Sequence, residues 1–410
     1  MRRVNRYISL SSVTLVILTG AADWPQWRGP KRDGVVIASG APASWPERLK
    51  LRWKISVGDG YASPIMAGDG IFVFSRQRGD EVASRIDSKS GHVLWQRSYR
   101  APYKMNPAAE RHGEGPKSTP VFYSSKVYTF GISGILTCWD AMTGAVRWRK
   151  DFSGQFRETS PLYGTAMSPL VDQGLLIAHV GGNDDGALIA FDAENGKVKW
   201  EWKGDGPAYA SPIIVDLAGT RQVITQTQNL IAGFDAASGR LLWKIPFTTQ
   251  YVQNIVTPVI YRDLLIFSGL AKGIMAVRVS VNGGKWLTET VWENPGLSMY
   301  MSSPVIDGDL LFGFSHLKRG EFFALDARTG ATRWTSAPRQ ADNAALLVSG
   351  QNLILLKDDA EMIIAKAGGS AFEPIRSYHV ADSPTWAHPL ILKDGVVIKD
   401  QTTLAMWGVE

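Results

Sequence analysis

The side chains of this chain that could carry chemistry are cationic and aromatic rather than nucleophilic. Among 410 residues there are 44 Lys or Arg, 15 Trp and 12 Tyr, but only six His and one Cys. The sequence contains no His-Glu-x-x-His motif, no Gly-x-Ser-x-Gly motif and no cysteine pair. We expect the single cysteine, Cys138, to be a small apolar residue of a buried strand beside Trp139. The residue types therefore favour binding over catalysis.

A repeated motif indicates which elements position these side chains. The pattern Asp-x-x-x-Gly-x-x-x-Trp predicts a hairpin in which Asp ends a strand, Gly takes a positive φ and Trp enters the packing layer. It occurs without error five times, at Asp87/Gly91/Trp95, Asp140/Gly144/Trp148, Asp192/Gly196/Trp200, Asp235/Gly239/Trp243 and Asp326/Gly330/Trp334. Trp53 and Trp292 occupy the same outer position without the full motif. Tyr378 occupies it as an eighth aromatic.

A second marker precedes each hairpin and gives the same count. It is a small residue, usually followed by Pro at the first strand position, where the missing N–H costs little. The copies are Ser63-Pro64, Thr119-Pro120, Ser168-Pro169, Ser211-Pro212, Thr257-Pro258, Ser303-Pro304, Ala344-Ala345 and His388-Pro389. Eight starts predict an all-β, eight-bladed β-propeller with four-stranded blades.

The last blade lacks an outer strand, and an unassigned strand with Trp53 precedes the first blade. We therefore predict that the N-terminal strand completes the C-terminal blade and closes the ring, which leaves few exposed edges. The predicted segments are a signal peptide at 1–22, an N-terminal extension at 23–48 and the propeller at 49–410.

The signal peptide is predicted from a basic start, an apolar stretch and small residues before Asp23. Its three arginines account for half of the formal charge of +6, so the mature chain carries +3. We expect a periplasmic or secreted protein with no transmembrane span in the mature chain. Such a weak charge, without a basic run, gives no reason to expect a nucleic-acid partner.

At this point the residues resemble a known family. The docking motif is similar to the repeat of quinoprotein dehydrogenases and their non-enzymatic relatives. The opening Trp24-Pro25-Gln26-Trp27-Arg28-Gly29-Pro30 resembles that of secreted bacterial pyrroloquinoline-quinone (PQQ)-like propellers. The propeller subunit of the outer-membrane β-barrel assembly machinery is another relative, although a lipid-attachment cysteine is missing here. The adjacent cysteines typical of the large quinoprotein alcohol dehydrogenases are also absent, so no catalytic residue is carried over.

The repeat alignment predicts a ligand site at the channel mouth of one face, here called the upper face. The positions just before the inner strands include Tyr61, Lys117, Tyr209, Asn254, Tyr300 and Trp386. The turns between second and third strands contribute Arg76, His179, Gln226, Lys272, His316, Arg319, Lys357 and Lys399. Aromatic rings suit stacking, and a basic rim suits an anion.

The leading hypothesis is a non-catalytic extracytoplasmic binding or scaffold protein, monomeric, with a protein or small anionic ligand at the upper face. No cofactor is expected under this hypothesis. A quinoprotein-like oxidoreductase that uses PQQ with calcium is the first alternative, and a polysaccharide-binding propeller is the second. A converging set of carboxylate, amide and cation on the upper face would favour the oxidoreductase.

Overall fold

A computed structural model describes residues 23–37 and 40–410, and the predicted signal peptide at 1–22 lies outside the described residues. Within these residues, no helix has the length and apolar character needed to cross a membrane. The helical elements bounded within the described residues are short 3-10 turns at Pro107–His112, Gln250–Val252 and Leu317–Arg319. The rest of the described chain is strands and connecting loops.

The described strands form eight four-stranded antiparallel sheets, which confirms the predicted eight-bladed propeller. The first blade contains β2 (Ile65–Ala67), β3 (Gly70–Gln77), β4 (Asp80–Asp87) and β5 (Val93–Arg100), and the second contains β6 (Val121–Tyr123), β7 (Lys126–Phe130), β8 (Ile135–Asp140) and β9 (Val146–Asp151). The third blade contains β10 (Leu170–Asp172), β11 (Leu175–Gly182), β12 (Asp185–Asp192) and β13 (Val198–Trp202), and the fourth contains β14 (Ile213–Leu217), β15 (Thr220–Gln226), β16 (Leu230–Asp235) and β17 (Leu241–Pro246). The fifth blade contains β18 (Val259–Tyr261), β19 (Leu264–Ser268), β20 (Ile274–Asn282) and β21 (Lys285–Asn294). The sixth contains β22 (Val305–Asp307), β23 (Leu310–Ser315), β24 (Glu321–Asp326) and β25 (Thr332–Thr335), and the seventh contains β26 (Ala344–Ser349), β27 (Asn352–Lys357), β28 (Glu361–Lys366) and β29 (Pro374–His379). The eighth blade combines β1 (Lys50–Ser56) with β30 (Leu390–Leu392), β31 (Gly395–Lys399) and β32 (Thr403–Gly408).

The eighth blade confirms the predicted closure of the ring. Its sheet order is β1-β32-β31-β30, so the N-terminal strand supplies the outermost strand of the C-terminal blade. The antiparallel register pairs Trp53 with Met406 and Lys54 with Ala405. Pairing of β1 with β32 completes this four-stranded sheet and covers the edge that β32 would otherwise expose.

Each docked indole joins one blade to the next. Trp95 Nε1 donates a hydrogen bond to the backbone oxygen of Ala141 at 3.0 Å. The same ring lies against Gly144, where a Cβ atom would come within 2.7 Å of it and where φ is +71°. Because only glycine tolerates both the contact and the dihedral, the motif needs Gly at this position. Equivalent bonds are made by Trp53, Trp148, Trp200, Trp292 and Trp334.

Blade five departs from this pattern, because its outer turn is Asn282-Gly283-Gly284 and not the Asp-x-x-x-Gly turn. Its outer hairpin, β20–β21, has strands of nine and ten residues that meet at Asn282 and Lys285. The docking turn is therefore missing from the position that Trp243 would reach. Trp243 Nε1 instead donates to Gln222 Oε1 within its own blade, at 2.7 Å.

The inner strands are linked by side-chain hydroxyls. Ser63, Thr119, Ser168, Ser211, Thr257 and Ser303 are here called the hydroxyl ring. Each hydroxyl accepts the backbone N–H of the corresponding residue in the preceding blade, at 2.9–3.1 Å. The residue before Pro thus does more than start a strand, because its hydroxyl satisfies a buried donor of the preceding blade.

The N-terminal extension crosses the central channel. Trp24 bridges to Met66 in the first blade, and Val36 N donates to the oxygen of Val348 in the seventh. Between them, Arg32 donates to the backbone oxygens of Ser168 and Pro169 at 2.8 and 2.9 Å. Arg28 donates to Pro304 O in the sixth blade. Two buried guanidinium groups thus fasten the extension to opposite sides of the ring.

Docking of the N-terminal strand can be tested with a pair of glycine substitutions. Gly91→Ala introduces a Cβ within 2.8 Å of the Trp53 ring at φ +73°, whereas Gly68→Ala meets no atom within 4 Å at φ +60°. Both carry the left-handed backbone penalty, so their difference reports the Trp53 contact. We expect Gly91→Ala to lower the free energy of unfolding by about 1–3 kcal/mol more than Gly68→Ala. Urea denaturation checks this, and equal losses would show that the Trp53 contact contributes little.

Candidate functional site

A cavity of about 500 Å³ lies at the upper face, where the loops that enter the inner strands line it. It is here called the cup. The hydroxyl ring, His388 and Trp27 of the N-terminal extension also line it. The guanidinium groups of Arg28 and Arg32 make cation–π contacts with Trp27, at 5.4 and 5.7 Å from the centroid of its ring. The volume of the cup falls in the usual range for small-ligand sites, about 300–1,000 Å³.

The walls of the cup come from loops that enter the inner strands. Tyr61, Lys117 and Tyr209 each stand two residues before a member of the hydroxyl ring, and Trp386 stands two residues before His388. Because every inner strand starts at the same height, the same offset places these side chains around the mouth. Tyr300 completes the set, and its hydroxyl donates to Gln253 Oε1 at 2.8 Å.

The structure brings together seven of the fourteen predicted ligand-binding residues in the cup. These are Tyr61, Lys117, Tyr209, Tyr300, His316, Arg319 and Trp386. His316 lies edge-on to the Tyr300 ring at 5.9 Å, and Arg319 is exposed at the mouth. Their shared position supports the expected site, while ligand binding by them stays a prediction.

The other seven predicted residues do not line the cup, and five of them lie in the second strands of their blades rather than in turns. Lys399 is buried, and its Nζ donates to four backbone carbonyls at 2.8–3.1 Å. Asn254 Nδ2 donates to three backbone carbonyls at 2.8–3.1 Å. The remaining five are Arg76, His179 and Gln226, each bonded to a backbone carbonyl, Lys357, paired with Asp359 and Glu361, and Lys272, which is exposed. Except for Lys272, their polar groups hold the loops that shape the mouth.

Several residues of the cup could not be located from the repeat. Arg111 and His112 belong to the 3-10 turn Pro107–His112, which reaches across the mouth to Trp386, with the His112 ring 4.5 Å from the indole. Arg111 also pairs with Asp342 at 3.0 Å. Tyr163 lies in the loop before the third blade, 5.8 Å from Tyr209. These residues sit in insertions that do not recur, so no alignment of blades places them.

The titrating groups of the cup are hydrogen-bond donors at neutral pH. Burial raises the pKa of Tyr61 to about 12 and also raises that of Tyr300, so both phenols keep their protons. Burial lowers the pKa of Lys117 to about 8, and its Nζ donates to the oxygen of Tyr163 at 3.1 Å. Burial also lowers the pKa of His112 to about 4, which makes its imidazole a poor base.

The family whose description is "Outer membrane protein assembly factor BamB" (PQQ_2) matches residues 79–336, which is more than half of the chain. The chain belongs to this family. Among its relatives, the outer membrane protein assembly factor BamB of Shewanella oneidensis is 24% identical over 294 residues, covering 69% of this chain and 71% of that protein. The quinoprotein ethanol dehydrogenase of Pseudomonas aeruginosa is 27% identical over 181 residues, covering 43% of this chain and 26% of that enzyme.

Solved structures show the same fold in both kinds of relative. BamB from Moraxella catarrhalis superposes with a TM-score of 0.63 at 15% identity, covering 88% of this chain and 99% of that one. The quinohemoprotein alcohol dehydrogenase from Comamonas testosteroni gives a TM-score of 0.68 at 13% identity, covering 95% and 80%. At these identities the likeness concerns the fold alone.

The dehydrogenase relatives raise the question of whether the cup suits a calcium-bound quinone. Calcium needs six to eight oxygen ligands, several of them carboxylates. Of the described residues, only Asp342 contributes a carboxylate to the cup, and Arg111 already pairs with it. Nor do the described residues contain a group of three or more His, Cys, Asp or Glu that could hold a metal. The donor set of the cup therefore does not fit a calcium-bound quinone.

The stability of the folded protein at acid pH should depend on the burial of His388 beside the cup. Burial lowers the pKa of this imidazole from 6.5 to about 3, and Arg28 acts in the same direction. Below pH 6.5 the unfolded chain takes up a proton that the folded chain does not, so stability is complete above pH 6.5 and falls as the pH drops toward 3. We expect His388→Gln to reduce this loss.

The measurement is the urea midpoint of each protein at pH about 7 and about 4.5. His92→Gln, at an exposed position, is the matched control and should leave the difference between the two midpoints unchanged. An identical acid loss in the wild type and in His388→Gln would show that His388 does not contribute to it.

Proposed function

We propose that this chain is a non-catalytic extracytoplasmic propeller that binds a partner in the cup. The observation that carries the proposal is the composition of the cup, which combines aromatic walls and proton donors with a single, already paired carboxylate. Such a lining can stack and hydrogen-bond a ligand but lacks an obvious base or metal site. The protein acts as a monomer in the periplasm or outside the cell.

The relatives support a role as a scaffold. Membership of the family described as an outer membrane protein assembly factor favours a protein partner over a small substrate. The predicted signal peptide agrees with a place outside the cytoplasm. Tyr300 and Trp386 both line the cup, in the loops before the sixth and eighth blades with one blade between them, so one partner segment can contact both. Aromatic side chains in such positions are typical binding hot spots.

The scaffold function can be tested by truncating the aromatic walls. We expect the double variant Tyr300→Ala/Trp386→Ala to lose a partner that the wild type captures from an extracytoplasmic extract, because both rings line the cup. The partner is identified by mass spectrometry and its binding is remeasured with purified components. Tyr123→Ala, on β6 and away from the cup, is the control and should keep the partner. Equal capture by the double variant would place the interaction elsewhere on the molecule.

A separate titration tests the oxidoreductase alternative. We expect no saturable quenching of tryptophan fluorescence when PQQ and calcium are added, because the cup offers calcium a single carboxylate among the described residues, and Arg111 already pairs with it. Trp27 and Trp386 line the cup, so a quinone bound there would be detected. Saturable, calcium-dependent quenching at micromolar PQQ or below would instead favour the dehydrogenase function. The Tyr300→Ala/Trp386→Ala variant would then show whether the quenching arises in the cup.

A further inference from the structure

The hydroxyl ring presents a set of proton donors to the cup. Every member accepts a backbone N–H from the neighbouring blade. Thr257 passes its own proton to the oxygen of Ser211 at 3.3 Å. Among the described residues, no acceptor takes the protons of the other five hydroxyls, which are at most 4% exposed and line the cavity. Buried hydroxyls in this state need an acceptor from a ligand or from water.

A cationic side chain lines the same cavity as these donors. Lys117 lines the cup, and no carboxylate of the described residues lies within ion-pair distance of its ammonium group. Arg111 is already neutralised by Asp342 at the opposite rim. A largely buried ammonium with only one carbonyl acceptor is stabilised strongly by an incoming anion. The inner part of the cup, with these donors and the Lys117 ammonium group, therefore suits a carboxylate.

The shape of the cup selects the end of a chain. Trp27 lines the cup, and the N-terminal extension that carries Trp27 crosses the channel, with Arg28 bonded to the sixth blade and Arg32 to the third. We infer that an extended segment can enter from the upper face but is blocked by the extension. An amino terminus would be repelled by Lys117, whereas a carboxyl terminus is attracted. Nearer the mouth, the amide oxygens of Gln253 and Asn343 accept bonds from Tyr300 and Ser302, and their NH₂ groups remain to bind peptide carbonyls.

We propose that the cup binds the C-terminal carboxylate and the last few residues of an extended protein segment. The carboxylate meets the hydroxyl ring and Lys117, and the preceding side chains stack against Tyr61, Tyr209 and Trp386. Capture of a C-terminal carboxylate by converging donors is a known mode of peptide recognition. This inference rests on the proposed binding function and specifies which part of the partner is held.

The test compares peptides that differ only in the charge of their last group. Equimolar pools of N-terminally fluorescein-labelled tetrapeptides, randomised at every position, are prepared as free acids and as C-terminal amides. Binding to the full chain, purified after export, is followed by fluorescence anisotropy. We expect the acid pool to bind about tenfold more tightly than the amide pool, because only the acid offers a charge-assisted acceptor.

Two variants locate the effect. Lys117→Met should remove most of the preference for the acid pool, and Lys272→Met, at an exposed position outside the cup, should keep it. If Lys117→Met does not fold, Arg319→Met at the exposed mouth provides a second measurement and should weaken the acid pool more than the amide pool. Thermal denaturation confirms that each variant is folded.

The result that would overturn the proposal is equal binding of the two pools, or no binding of either. Displacement of the acid pool by N-acetylglycine at the same concentration as by an unlabelled tetrapeptide acid would also overturn it, since the ligand would then be a small carboxylate. Loss of partner capture in the Tyr300→Ala/Trp386→Ala variant, together with indifference to the terminal carboxylate, would leave the scaffold function standing without this inference.

Discussion

The hydrogen bond from the backbone N–H of one inner strand to the hydroxyl of the next blade is the contact on which the channel depends. Around a propeller axis the innermost strands of adjacent blades diverge and cannot pair as a sheet, so their first N–H groups would be buried without acceptors. Ser or Thr before Pro supplies the acceptor, as Thr119 does for Ser63 at 3.1 Å. An unpaired buried N–H would cost about 1–3 kcal/mol at each position. The docked tryptophans provide the corresponding link near the outside of the ring.

The same contact determines the character of the cup. A hydroxyl that accepts an N–H still carries a proton, and that proton must point away from the donor it has satisfied. Repetition around the axis therefore converts a structural link into a collar of donors such as Ser168 and Ser211. The residues two positions upstream are carried to the mouth by the same strands. Structural repetition and ligand chemistry thus arise from one set of positions.

Sequence reasoning succeeded where the chain repeats itself. The turn at Asp140 and Gly144 recurs with the same hydrogen bonds and φ in other blades, so the local signal was enough to place the outer strands and the walls at Tyr61 and Tyr209. It did not reach Arg111 or Tyr163, because each lies in an insertion that occurs once. The predicted rim residue Lys399 illustrates a different limit. Its position was correctly aligned, but four backbone carbonyls surround its ammonium group, and only coordinates show that.

The N-terminal extension contacts the part of the ring where the sequence repeat lacks the hydroxyl residue. Ala344 and His388 replace the hydroxyl residue in the seventh and eighth blades, so the forward link is interrupted there, and Ala344 N turns back to the hydroxyl of Ser302. The extension contacts this same sector: Arg28 donates to Pro304 O, Val36 N to Val348 O, and Trp27 packs edge-on against His388 at 5.5 Å. Backbone and guanidinium donors of the extension thus take the place of the hydroxyl bonds between blades where the repeat lacks Ser or Thr. Because Trp27 also lines the cup, the segment that contacts these blades is at the same time part of the proposed binding site.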